Sequence, residues 1–216
     1  MLVLALSFLL IRYVDKKLNI LLDNYLNMEV KRLTTNVVNK SVKDVLAKQE
    51  YDDLIIVSKK ENSEINKIEY DTKKINILTN DILNKVQQNI KRLDSGQVDS
   101  MFLYNQSKNM RFNKIEKGIV LDVSLGNIYH SSLFANIGPT IPIKLVFSGQ
   151  TNVDIDLKTK EYGINNIMVE IDAVVTVKEI TTMPISSKQK TIKVRSPISI
   201  DIIKGNIPEN YFKMFQ

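Results

Sequence analysis

Apolar residues fall into three rhythms along this chain, and each predicts a different element. The first eleven residues, MLVLALSFLLI (Met1 to Ile11), carry no charge at all. From about Leu18 to Lys48 the spacing becomes helical. Leu26, Val30, Leu33 and Val37 form one stripe, and Val38, Val42 and Val45 a neighbouring one. No glycine or proline interrupts, so a single helix is expected to run straight on from the first stretch. Its valines have modest helix propensity, so packing must hold it together.

The rhythm then shortens. YDDLIIV (Tyr51 to Val57) reads as a strand, and KKENSE (Lys59 to Glu64) as a polar turn. Ile68, Tyr70 and Thr72 alternate with charged residues, as in a partner strand with one wet face. Ile75, Leu78, Ile82, Val86 and Ile90 return to helical spacing, and this second helix is expected to stop near Asp94-Ser95-Gly96. Asp99 to Asn113 is polar, with isolated Met101, Phe102 and Phe112, and is expected to be a loop. From Ile115 onward the period is two. KLVFSGQTNVDIDLKT holds two β-rich runs around Gly149. NIMVEIDAVVTVKEIT alternates Val169, Ile171, Ala173, Val175 and Val177. TIKVRSPISIDII alternates Ile192, Val194, Ile198, Ile200 and Ile202. Such strands joined by polar turns predict an antiparallel sheet with one buried face.

The expected class is α+β. A membrane-type helix at residues 1–14 precedes a helix-strand-strand-helix unit at 15–98. A loop follows at 99–114, then a mostly antiparallel sheet at 115–216 that belongs to the same domain. A full membrane span needs about 20 apolar residues, so the first stretch alone is short. No basic segment precedes it and no small-x-small cleavage site follows, unlike a signal peptide. It is expected to be the C-terminal part of a membrane helix whose first half is missing. A buried core helix is the alternative.

Composition narrows this only slightly. The 216 residues are 44% hydrophobic and 25% charged, ordinary for a globular chain large enough to bury a core. Lys+Arg 30 against Asp+Glu 24 gives a basic balance. The two signs are interspersed, and no recognition helix or RNA platform is evident, so nucleic acid is not an expected partner. With no cysteine, disulfides, zinc-thiolate sites and cysteine nucleophiles are excluded.

The search for chemistry returns little. His130 is the only histidine, beside Ser131 and Ser132, a weak basis for a nucleophile-base pair. Asp52-Asp53 and Asp154 with Asp156 are carboxylate pairs, expected to be solvated rather than catalytic. Gly126, Gly138 and Gly149 are too far apart for a phosphate loop. No metal, cofactor or small-molecule substrate is expected. One stretch stands out, SSLFANIGPTIPI (Ser131 to Ile143). Gly138-Pro139 and Pro142 break it too often for a helix, and the prolines make central strand pairing doubtful. It reads as an apolar loop folded under the sheet, with Leu133, Phe134 and Ile137 as plugs. The alternative is an exposed patch that docks a partner.

The same stretch carries a resemblance. LFANIGPTIPIK, then Gly149, YGINN and KGNIPENY, resembles the YunB family of sporulation proteins from endospore-forming Firmicutes. EVKRLTTNVVNKSV, YDDLIIV and KINIL fit the family's first half in the same order. The most specific parts are Ala135, Asn136, Gly138 and Pro139, with the closing Gly205, Pro208 and Tyr211. Asn166, Ile167 and Val169 depart from the family's usual residues after Gly-Ile-Asn, as do Ile200 and Asp201 before the closing glycine. The resemblance implies a protein made in the mother cell during sporulation, held in the membrane by one N-terminal helix, its bulk outside the cytoplasm. It implies no enzymatic activity.

Three readings follow. The first is a structural or interaction component at the mother cell-forespore boundary, binding protein partners or itself. Its candidate interaction residues are Leu133, Phe134, Asn136, Ile137, Gly138, Pro139, Pro208 and Tyr211. The second is a cell-wall-directed enzyme or ligand-binding domain of the intermembrane space, which would need His130, Asn136, Asn165 and Asn166 to converge. The third is a binder of anionic surfaces through its lysines.

Overall fold

A computed structural model describes residues 2–48, 51, 53–59, 65–95, 110–111, 118–124, 126, 138–163, 165–182 and 187–205. Its elements are α1 (Leu2–Leu46), β1 (Ile55–Lys59), β2 (Ile65–Tyr70), α2 (Thr72–Asp94), β3 (Met110–Arg111), β4 (Ile119–Ser124), β5 (Thr140–Glu161), β6 (Asn166–Thr182) and β7 (Ser187–Lys204). β1 and β2 form a two-stranded antiparallel sheet. β3 to β7 form a five-stranded sheet in sequence order. β3, β4 and β5 pair antiparallel, and the short connections 162–165 and 183–186 allow only antiparallel pairing for the rest. The class is α+β.

The chain divides into two compact units. One holds residues 1–36, 91–148 and 178–192, the other 37–90, 149–177 and 193–216.

In the first unit, α1 buries Leu22, Leu26, Val30 and Leu33 at helical spacing. β4 and β5 pair Ile119 with Leu145, Leu121 with Ile143 and Val123 with Ile141. Their alternation sends Ile119, Leu121, Val123, Ile143, Leu145 and Phe147 into the core. Asp94 ties the end of α2 to this sheet. Its carbonyl accepts from the Gly118 amide at 2.9 Å, and its carboxylate from the Phe147 amide at 3.3 Å. Gly118 has φ +113°, and a Cβ there would stand 2.5 Å from the Leu145 carbonyl oxygen, so this position requires glycine.

In the second unit, Val37, Val38, Val42 and Val45 of α1 are buried, as are Ile75, Leu78, Ile82, Val86 and Ile90 of α2. A buried polar bond joins the two helices, Asn89 Nδ2 donating to Ser41 Oγ at 2.8 Å. Ser41 in turn donates to the Val37 carbonyl at 2.7 Å. The Tyr51 hydroxyl donates to Asp81. Asp71 caps α2 by accepting from the Lys74 amide at 3.0 Å. β6 buries Val169, Ile171, Ala173, Val175 and Val177, the alternation read from the sequence.

Four expectations change. Thr72 is not a strand residue, because the Asp71 cap starts α2 there. Met110–Arg111, expected in a loop, pairs with β4 as β3. The two runs around Gly149 are one strand, β5, and Pro142 pairs with Asp122 inside the ladder near its start. The alternation of β7 breaks where adjacent Ile198 and Ser199 are both half-buried. Beyond that point Ile200 and Ile202 face solvent, 61% and 47% exposed.

Candidate functional site

Two surfaces stand out. The first is the start of α1. Val3, Leu4, Leu6, Phe8, Leu9, Leu10, Tyr13 and Val14 are all exposed, so the helix is uncovered on every side over these turns. Arg12 sits over the Phe8 ring, 5.2 Å from its centroid. Lys16 and Lys17 follow, both exposed, and burial begins at Leu22. The helix is unbroken from the uncovered turns into the buried seam. Among the described residues no helix is long and apolar enough to cross a membrane.

The second surface is a groove of about 960 Å³ in the second unit. Leu54, Ile55 and Val57 line one side, Ile198, Ile202 and Ile203 the other, with Asp201 and Lys204 also lining it. β7 is the last strand of its sheet, and β1 has one partner. The groove therefore lies along sheet edges, with Ile56, Ile200 and Ile202 exposed nearby. Asp201 accepts from the Ser199 hydroxyl. Among the described residues no group of three or more metal-ligating side chains converges.

β7 ends against the β5–β6 turn. The Gly205 amide donates to the Asn165 carbonyl at 2.9 Å, and the Tyr162 amide to the Asn166 carbonyl at 2.9 Å. Gly163 and Asn165 both take positive φ, +64° and +56°. A Cβ on Gly205 would lie 2.1 Å from the Asn165 oxygen. The fold thus brings Gly205 against Asn165, two positions far apart in the sequence. Close backbone approach requires glycine at 205, and positive φ favours it at 163, while no local pattern in the chain reports that 165 and 205 meet.

Charged groups are placed differently in each unit. In the second, Arg195 bridges Asp156 and Asp172 at 2.6 and 2.5 Å. Its hydrogen bonds hold the Asp156 carboxyl below its ordinary range. The carboxylates Asp154 and Asp156 are accordingly occupied by Asn152 and Arg195, a structural arrangement. In the first unit Glu179 is fully buried. Oε1 accepts from Thr181 Oγ1 at 3.0 Å, and Oε2 has no partner among the described residues. Burial pushes its carboxyl up, opposed by the Thr181 bond and the Lys190 charge. Lys190 donates to Asn27 of α1, and Lys188 to Asp23. Glu179 and Thr181 continue the β6 alternation from Val169 to Val177, a signal that could have identified them as buried.

Of the candidate interaction residues, Gly138 and Pro139 are exposed just before β5, Gly138 with φ +100°. Leu133, Phe134, Asn136, Ile137, Pro208 and Tyr211 lie outside the described residues, as do His130 and Asp52. Asn165 and Asn166 serve the β5–β6 turn through their backbones.

Comparison with known proteins agrees with the resemblance. Residues 120–210 match the family described as Sporulation protein YunB (Spo_YunB). The chain is 28% identical over 172 residues to the Sporulation protein YunB of Bacillus subtilis (strain 168), covering 79% of this chain and 63% of that relative. The match therefore spans less than two thirds of the relative's length. No solved structure matches. The similarity to sporulation proteins of the YunB family is shown, and it supports a role in sporulation.

Proposed function

We propose that this chain, similar to the sporulation proteins of the YunB family, is a membrane-attached structural and interaction component. In this reading it acts without catalysis at the mother cell-forespore boundary, with its bulk outside the cytoplasm. The observation that carries the membrane attachment is the start of α1. A helix that docks on a protein leaves its outer face polar, so one apolar on all sides calls for an apolar medium all round. Eight large apolar side chains between Val3 and Val14 meet solvent here. Burying each in hydrocarbon is worth roughly 1.5–3 kcal/mol. Arg12, Tyr13, Lys16 and Lys17 then fall where aromatic and basic side chains favour the lipid headgroups. The edge groove, with Ile200 and Ile202 exposed beside it, supports the interaction part of the reading.

The reading is tested by following a fluorescent fusion of the chain in sporulating Bacillus subtilis cells. The expected result is a signal along the membranes around the forespore, dispersed by the paired changes Leu6→Asp and Leu10→Asp. A diffuse signal for the unaltered chain would overturn it.

A further inference from the structure

The groove of the second unit is bordered by β7 and β1 in different ways. Ser199, Asp201, Ile202, Ile203 and Lys204 all line it, so residues of both parities contribute and the edge of β7 faces it. From β1 only Ile55 and Val57 contribute, two residues of one parity, so a face of that strand forms an apolar wall. One bond gives the direction of the backbone groups along the β7 edge. The Gly205 amide donates to the Asn165 carbonyl in the β5–β6 turn. The amide and carbonyl of a strand residue point to the same side and alternate along the chain. Those of Ile203 and Asp201 therefore point toward β6, and those of Ile200, Ile202 and Lys204 point away from it. Among the described residues β7 has no neighbour on that side. One strand residue takes up about 3.3 Å of length, 4.8 Å of width and 10 Å of depth, roughly 160 Å³. The 960 Å³ of the groove thus holds about six such residues, the length of β7 from Ser199 to Lys204.

We infer that the edge of β7 takes up a further strand here, an extended segment of a partner protein running antiparallel like the other strands of the sheet. The inference rests on the interaction part of the proposed function and not on the membrane attachment. Charge sets the chemistry of the segment. Asp201 and Lys204 are exposed, and neither has an ion-pair partner among the described residues. The Ser199 hydroxyl that donates to Asp201 leaves its charge in place. Asp53 adds a second carboxylate to the groove. The residue directly opposite Asp201 is therefore basic, and the one directly opposite Lys204 acidic. Residues opposite Ser199 and Ile203 share the groove side with the basic one and meet Ile55 and Val57, so they are apolar. Residues opposite Ile200 and Ile202 cover side chains that are 61% and 47% exposed, so they are apolar as well. Read along its own direction, from the level of Lys204 to that of Ser199, the segment is acidic, apolar, apolar, basic, apolar, apolar. A second copy of β7 does not meet this demand. In a two-fold pair of strands residues of like parity stand opposite, so Asp201 and Lys204 never face one another.

The probe is the dye-labelled peptide Glu-Val-Ile-Lys-Ile-Val, with both ends blocked. It is titrated with the full chain in mild detergent and followed by fluorescence anisotropy. Binding is expected, and the peptide with its glutamate and lysine exchanged should bind about tenfold more weakly. Asp201→Lys with Lys204→Glu in the chain, both at exposed positions, should reverse that preference. N-methylation of the two isoleucines, whose amides face β7, should abolish binding. N-methylation of the lysine, whose amide faces away, should leave it intact. No binding up to about 1 mM peptide would overturn the inference. Equal affinity of the two peptides, or equal loss from both methylations, would also overturn it. A dimer of the full chain that Ile202→Pro dissociates would give the edge to a second copy. Binding seen only when the chain is ended at Gly205 would give it to the residues that follow. Either result would overturn the partner strand. In detergent these results leave the membrane attachment standing, whereas a diffuse cellular signal with peptide binding intact would overturn the attachment alone.

Discussion

Replacing Glu179 by glutamine keeps the shape of a fully buried side chain and removes its charge. Among the described residues one carboxylate oxygen has a single hydroxyl donor and the other has none. Desolvation raises the carboxyl above its ordinary value of 4.5, against the opposing pull of Thr181 and Lys190. The sign of the pH effect follows. As pH climbs past 4.5 the unfolded chain gives up this proton while the folded chain still holds it. The folded state then binds more protons, so stability falls until pH passes the raised native value, and stays low above it. An unsatisfied buried polar atom costs about 1–3 kcal/mol. Glu179→Gln removes the charge, although its amide still occupies the site with unsatisfied donors, so it is expected to recover part of that at alkaline pH and almost none below the ordinary carboxyl range. With a urea slope of about 2–3 kcal/mol per M, the alkaline midpoint should rise by about 0.5–1 M. Urea titrations of both chains in mild detergent across pH 4 to 9 measure this. A glutamine variant less stable at alkaline pH would show that Lys190 pairs with the carboxylate strongly enough to outweigh its burial. A difference independent of pH would show that ionisation of Glu179 is not the cause.

Other outcomes follow from the packing. Ser41→Ala strands the buried Asn89 amide and should cost about 1–3 kcal/mol in denaturant titrations. Adding Asn89→Leu should recover part of that loss, giving a coupling energy in a double-mutant cycle. Gly205→Ala drives a methyl into the Asn165 carbonyl, so it should loosen the end of β7 and speed hydrogen exchange at the 205 amide. Unchanged exchange there would contradict the close approach. Leu26→Ala, at a fully buried position of α1, should lower stability by about 2–5 kcal/mol.

The helices and β6 were legible because each depends on a local period. The stripe from Leu26 to Val45, the Ile75 to Ile90 stripe and the Val169 to Val177 alternation all report burial on one face. What the period could not carry was any contact between distant segments. The YGINN turn and the KGNIPENY glycine meet only because β5, β6 and β7 are long neighbours. The charge of Glu179 masks its place on the buried face of β6. Ile200 and Ile202 followed the alternation in sequence, yet the break at Ile198–Ser199 turns them outward. Pro142 makes central strand pairing doubtful from the sequence, but it stands third in β5 and pairs there with Asp122 of β4. Of the stretch from Ser131 to Ile143, residues 138–143 are described, whereas its apolar plugs Leu133, Phe134 and Ile137 lie outside the described residues.

The central claim is that the first turns of α1 belong in a lipid bilayer. Flotation of the full chain with vesicles of phosphatidylcholine and phosphatidylglycerol in a density gradient tests it most directly. The account predicts that the chain rises with the vesicles and stays bound in high salt, because apolar burial holds it. Leu6→Asp with Leu10→Asp should leave it at the bottom. A chain that stays at the bottom unaltered, or leaves the vesicles as salt is raised, would contradict the account.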